Sequence, residues 1–127
     1  MAKWVHSDTL DQGPNYIKTT AIRMLLISAY AAADSYATVV GNKLAEATMA
    51  SGDFTLGNGA SSSRTLTTAA GKSATASATA ASPNLHIAFT NNVDKVLWVT
   101  DETSDQPITS GNTVNFPSIV YTTQQPT

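Results

Sequence analysis

Residues 85–121 read LHIAFTNNVDKVLWVTDETSDQPITSGNTVNFPSIVY and hold most of the strand signal of a 127-residue chain. Leu85, Ile87 and Phe89 alternate with His86, Ala88 and Thr90, the period of two that lays one side of a strand on a core. A turn cluster, Asn91-Asn92-Val93-Asp94-Lys95, follows, and Val96-Leu97-Trp98-Val99-Thr100 resumes as a β-branched and aromatic run. Two such runs around a polar turn predict a β-hairpin. Val96 and Trp98 fall on one face of the second run and Leu97 and Val99 on the other, which predicts a strand covered on both sides and central in its sheet. After a polar loop from Asp101 to Pro107, Ser110-Gly111-Asn112 turns the chain into Thr113-Val114-Asn115-Phe116. Pro117 separates this from Ser118-Ile119-Val120-Tyr121.

Upstream, Ile22 to Ala29 (IRMLLISA) fits two patterns. Ile22, Leu25, Leu26 and Ala29 stand at helical spacing, but a short apolar run also suits a buried strand, and the strand is the reading adopted. Before it, Ser7 or Asp8 is suited to cap a short helical turn, and Gly13-Pro14 is expected to stop that turn and start a helix from Pro14 to about Thr20, with Tyr16 and Ile17 inward. Tyr30 to Asn42 offers a helix start at Asp34 or Ser35 and an end at Gly41-Asn42. Leu44 to Ala50 reads as a strand, Ser51-Gly52-Asp53 as a turn, and Phe54-Thr55-Leu56 as the next strand. Residues 57–63 (GNGASSS) read as a mobile surface loop, followed by strands at Arg64 to Ala69 and Ser73 to Ala80. Residues 57–83 have a low-complexity composition that often means disorder. The strict alternation of small and polar residues favours an ordered strand packed closely on a neighbouring sheet. About seven to nine short strands with turns between them indicate a mainly β fold, an antiparallel β-sandwich or barrel with a short N-terminal helix. Residues 14–127 form a single domain in this reading, preceded by an arm, residues 1–13.

Composition limits the chemistry. Only 13% of residues are charged, against about a quarter in ordinary soluble domains, and Ser, Thr, Asn and Gln supply the polarity instead. That balance is common on extracellular and virion surfaces. A net charge of −2 provides no field to hold a phosphate backbone, so nucleic acid is disfavoured as a partner. The absence of cysteine removes disulfides, thiolate metal sites and thiol catalysis together, and points to oligomerisation or docking as the source of extra stability. No secretory signal is visible near the start, and Ala21 to Ala33 is too short and too interrupted to span a bilayer, so synthesis in a cytoplasm without membrane insertion is expected. His6 and His86 are the only histidines and lie far apart in sequence. Asp101, Glu102 and Asp105 could hold a hard cation, but a solvated acidic turn is the better reading, and Asp8, Asp11, Asp53 or Asp94 would join a metal site only by a coincidence of folding. Ser61-Ser62-Ser63 lacks an adjacent base, and Gly57-Asn58-Gly59 lacks the lysine and helix start of a phosphate loop. No enzyme, cofactor or metal is expected.

The order WVHSDTLDQG, Tyr16-Ile17, an apolar strand, a Tyr/Ala loop and LAEATMASGDFTLGNG, closing with the KVLWVT strand and SGNTVNFP, resembles small virion structural proteins of tailed bacteriophages. The resemblance covers most of the chain and rests on apolar pattern and turn placement. It implies a non-enzymatic capsid decoration, or cement, protein that clamps neighbouring capsomers, with the major capsid protein or other virion proteins as partners and a homo-oligomer, possible as a trimer, as its state. The alternative is a tail, fibre or receptor-binding module. On the first reading the arm docks through Trp4, Val5 and His6; on the second, Tyr30, Tyr36 and the 57–63 loop form the contact surface.

Overall fold

The computed structural model describes residues 2–80, 85–101 and 107–126. Two short helices, Ser7–Leu10 (α1) and Gln12–Thr20 (α2), lead into strand Arg23–Ile27 (β1). Helix Tyr36–Gly41 (α3) precedes strands Lys43–Thr48 (β2), Phe54–Asn58 (β3), Arg64–Thr68 (β4) and Lys72–Thr75 (β5). Strands His86–Thr90 (β6), Val96–Asp101 (β7), Thr113–Phe116 (β8) and Val120–Thr123 (β9) follow, and single 3-10 turns at Ser51–Asp53 and Ala60–Ser62 flank β3. All pairings are antiparallel: a four-stranded sheet in the order β2-β1-β6-β7, a three-stranded sheet β3-β4-β9, and the pair β5-β8. The sheets do not close into a barrel; the arrangement is sandwich-like.

The ambiguous run at 22–29 is a strand for a reason visible in its burial. Met24, Leu25, Leu26 and Ile27 are all at most 1% exposed, so both faces of β1 are covered, and a strand buried twice shows no alternation. On one face Met24 and Leu26 join Ile87, Phe89, Phe54, Leu66, Val114 and Phe116 in the main core between the sheets. On the other, Leu25, Ile27 and Ala88 pack beneath Val39 of α3, with Tyr30, Val96 and Val99 at the margin. Helix α3 is placed as its caps foretell: Ser35 accepts from the Thr38 amide through its hydroxyl (3.2 Å), and Asn42 closes the helix.

An aromatic series ties the two main sheets together. The Phe54 ring of β3 lies 5.9 Å from that of Phe89 on β6, Phe89 stacks on Trp98 of β7 at 4.7 Å, and Trp98 meets the Tyr121 ring of β9 edge-on at 5.3 Å. Offset and edge contacts of this kind add to the apolar area they bury.

Two bulges explain where the structure departs from simple alternation. In the β1–β2 ladder Leu26 pairs with Ala45 and Ile27 with Lys43, so Leu44 has no opposite number. Its carbonyl instead accepts from the Ser77 amide at 2.7 Å and the Ser77 hydroxyl at 3.2 Å, which stitches the residues after β5 to the edge of β2. In the β6–β7 ladder Phe89 pairs with Trp98 and Thr90 with Val96, leaving Leu97 as the extra residue. Leu97 therefore packs on the main core beside Trp98, while Val96 and Val99 turn to the second cluster. The expected placement of β7 is corrected in one respect: both its faces carry apolar side chains packed on a cluster, as expected, but it is an edge strand, half-buried along most of its length, and not central.

Other expectations shift by smaller amounts. Gly13 and Pro14 do not break the chain; both lie in the first turn of α2, where proline's missing N–H costs no helix bond, and Pro14 is buried. Ile17 shares the inward face with Pro14, three residues before it, and Tyr16 is 49% exposed, so only one of that pair points into the core. The cap of α1 is His6, whose Nδ1 accepts from the Asp8 amide, and not Ser7 or Asp8. Strand β5 ends at Thr75 and β9 begins at Val120. The 57–63 stretch is bonded within itself: Gly59 donates to the Ser63 carbonyl at 2.9 Å, and buried Ser63 donates from its amide and its hydroxyl to the Ala60 carbonyl.

Two carboxylates, Glu46 and Asp53, are held in partly buried ion pairs. Glu46 on β2 accepts from Lys43 (2.9 Å) and from Arg23 on β1 (3.2 Å), and Asp53 pairs with Lys72 on β5 (2.8 Å) while accepting from the Ala50 amide. The Lys43 hydrogen bond chiefly holds the Glu46 carboxyl below its ordinary value of 4.5, and the Lys72 hydrogen bond chiefly holds Asp53 below 3.8. A carboxyl whose pKa is lowered on folding contributes stability that is complete above its unfolded value and lost as pH falls through its folded one. The melting temperature should therefore decline as pH drops below about 4, and more shallowly in Asp53→Asn and Glu46→Gln than in the parent; thermal melts between pH 7 and pH 2 check this. Phe89→Ala, which removes a fully buried ring from the aromatic series, should cost about 3–5 kcal/mol in urea unfolding, whereas Val93→Ala, at 72% exposure, should stay within about 0.5 kcal/mol.

Candidate functional site

The residues expected to make contacts fall in three separate places. Trp4 is 67% exposed and precedes the first helix. Val5 is fixed beside it: the Gln125 side-chain amide accepts from the Val5 N–H at 2.8 Å and donates to the Val5 carbonyl at 2.9 Å, and donates also to the Ser62 carbonyl at 3.1 Å. His6 is exposed and spends its Nδ1 lone pair on capping α1. Further along, Thr123 donates to the Leu10 carbonyl at 3.0 Å, and Arg64 grips Asp11 through Nε and a terminal nitrogen at 2.8 and 3.1 Å, a forked contact that fixes orientation as well as position. From Val5 onward the arm is thus bound to the body of the domain, and Trp4 is presented from a fixed base.

Tyr30 and Tyr36 part company. Tyr30 covers the second core cluster, its ring 6.1 Å from that of His86 on β6. His86 points its Nε2 at Asp101, 3.1 Å away, at the end of the neighbouring strand. Tyr36 instead lines an open cleft of about 610 Å³, shared with Gly13, Tyr16 and Ile17 of α2, Asp34 and Ser35 ahead of α3, Asp94 to Leu97 at the start of β7, and Tyr121 of β9. Leu97 reaches this cleft because it is the bulged residue of β7.

The polar groups of the cleft are set by their own loops. Asn91 accepts at Oδ1 from the amides of Val93, Asp94 and Lys95, each at 3.0 Å, so the turn that carries Asp94 and Lys95 is closed around one side chain. Asn91 Nδ2 donates to Asp94 Oδ1 at 2.9 Å, and the Ala31 amide donates to Asp34 Oδ2 at 2.8 Å. Each carboxylate therefore has one oxygen held and the other without a protein partner among the described residues. Lys95 Nζ stands 3.5 Å from the Tyr16 hydroxyl across the cleft.

Of the residues here, sequence reading singled out Tyr36 for contact but placed Tyr16 in the core and passed over Asp34, Asp94, Lys95 and Tyr121 as a group. The signal that existed was the Asn-led turn at 91–95, which marks a side chain closing a loop. Of the acidic loop considered for a cation, Asp101 is engaged with His86, while Glu102 and Asp105 lie outside the described residues. Among the described residues no three of His, Cys, Asp and Glu come together as a metal site requires, and no helix is long and apolar enough to cross a membrane.

No family model, curated protein or solved structure matches this chain.

Gln125→Ala should release the segment before α1: the Val5 amide should exchange with solvent at least about tenfold faster, while core amides of β1 and β6 keep their protection. Hydrogen exchange followed by NMR reads both.

Proposed function

We propose that this chain is a non-enzymatic structural component of a tailed-phage virion, a capsid decoration protein that stabilises the head by binding between capsomers. The observation that carries the reading is Trp4: a large aromatic residue two-thirds exposed, on a segment whose next residue is locked to Gln125 by two hydrogen bonds. An anchor held in place from one side is pre-organised to insert into a partner, because little freedom remains to be lost on binding. Val5 and His6 belong to the fixed base beneath it. The resemblance in strand and turn order supports the virion setting, and the low charge fits a surface buried against the major capsid protein or another virion protein. Val120, 53% exposed on edge strand β9, offers further apolar area for a homo-oligomer, with a trimer at three-fold positions as the proposed state. Attachment would stabilise the assembled shell by mass action.

A second reading, a receptor-binding module of the tail or fibre, draws on one observation: Tyr36 lines a cleft with two other tyrosines. Copy number separates the two. Mass spectrometry of purified particles should find the chain on the order of hundreds of times per particle for a decoration protein and about a dozen times or fewer for a tail part, as the symmetries of those positions require. A copy number near zero removes both. On the decoration reading Trp4→Ala should weaken attachment to particles by about 2 kcal/mol with the melting temperature of the isolated protein nearly unchanged; a large fall in melting temperature with full occupancy would return Trp4 to the protein's own fold.

A further inference from the structure

We infer that the tyrosine cleft is a binding site for a neutral saccharide unit, an inference that stands on the cleft and does not rest on the virion reading. Its volume, about 610 Å³, lies within the range of small-ligand sites. Three tyrosine rings from three different elements, Tyr16, Tyr36 and Tyr121, share it with the aliphatic Val96 and Leu97. Flat, partly exposed rings are the surface on which the C–H face of a pyranose packs, and Tyr16 at 49% exposure is open to it.

The polar inventory selects among ligands. Asp34 and Asp94 each keep one carboxylate oxygen free to accept from a hydroxyl, and Lys95 and the tyrosine hydroxyls can donate. A ligand rich in hydroxyls uses both kinds at once. A phosphate, sulfate or sialyl group would face two carboxylates against one lysine, and a cationic group, which only donates, would serve the carboxylates but leave Lys95 and the tyrosine hydroxyls without an acceptor. The carboxylates are already fixed by Ala31 and Asn91, so ordering them costs little on binding. The rear of the site is rigid as well, since Tyr121 abuts Trp98, which stacks on Phe89.

Trp98 supplies the readout. The chain has two tryptophans, so in Trp4→Phe protein the emission belongs to Trp98 alone. Titration of that protein with maltotriose, cellotriose, chitotriose and galactotriose should give a saturable change with at least one of them. Asp94→Asn and Tyr16→Ala, both at exposed positions, should each weaken that response by about tenfold, equal to about 1.4 kcal/mol, with melting temperatures unchanged. Absence of a saturable response to all four sugars overturns the inference. So does a response that neither substitution alters, or a stronger response to trilysine or to a sialylated trisaccharide, which would assign the cleft to a charged ligand. Because the titration uses the isolated chain, its failure is separate from a failure to find the chain on particles.

Discussion

The structure depends on covering two strands twice. β1 and β6 sit side by side at the centre of the larger sheet, and between them Leu25, Leu26, Ile27, Ile87, Ala88 and Phe89 are at most 1% exposed. One cover is the pair of smaller sheets, which bring Phe54, Leu66, Val114 and Phe116. The other has to be made from the connection between β1 and β2, and α3 with Tyr30 is that connection. A short helix suffices there because the cluster is small: Val39 is the buried residue of α3, and Tyr30, Val40, Val96 and Val99 close its margin. The order β2-β1-β6-β7 then follows: β2 returns directly from α3, whereas β6 arrives only after the chain has crossed to build β3, β4 and β5.

Edge positions carry the irregularities. β2 and β7 are the two edges of the larger sheet, and each contains the extra residue of a bulge, Leu44 and Leu97. A bulge bends a strand and frees backbone groups from the ladder. At Leu44 the freed carbonyl is satisfied by Ser77, so that edge is covered by the chain itself. At Leu97 the bend lets two consecutive side chains, Leu97 and Trp98, serve the main core, and the strand end opens beside α2 and β9. The same device closes one edge and leaves the other with the cleft.

What could be read from the sequence was the part governed by local rules. Capping chemistry at Ser35 and at Gly41-Asn42 located α3, and the alternation from Leu85 to Thr90 with an apolar run after a polar turn located the β6–β7 hairpin. The place of β7 in its sheet was not legible, because cover on both faces, which β7 has, does not reveal that no further strand pairs with it, and the inserted Leu97 changes which residues share a face. Tyr16 was misread because consecutive residues of a helix point about 100° apart, so with Pro14 and Ile17 sharing the buried face Tyr16 falls off it. The cleft was illegible for another reason. It gathers residues 13–17, 34–36, 94–97 and 121, four segments with no shared period, and only the topology makes them neighbours. Gln125 was equally hidden, since a polar residue near the end of the described chain gives no sign that its amide pairs with Val5.

The low-complexity stretch explains why the cleft lies where it does. Ala74, Ala76, Ala78 and Ala80 all face the main core while Ser73, Thr75, Ser77 and Thr79 face solvent, so the alternation continues past the end of β5 to the bridge between Ala80 and Ile108. A wall of alanines lets the backbone of β5 come against β2, near enough for Ser77 to bond Leu44, and Lys72 reaches Asp53 and the Thr48 carbonyl to close that side with polar contacts. Aromatic rings do the opposite: Trp98 of β7 and Tyr121 of β9 meet edge-on, with Phe89 of the neighbouring β6 stacked on Trp98, so rings and not alanines fill the space between β7 and β9. Packing at constant density therefore draws the sheets together where the side chains are small and spreads them where the rings stand. At the spread side β7 is an edge without a further strand, and α2 and the loop before α3 flank the opening without filling it. The gap that results is walled by the outermost ring of the aromatic series, Tyr121, and by the two tyrosines of the flanking segments.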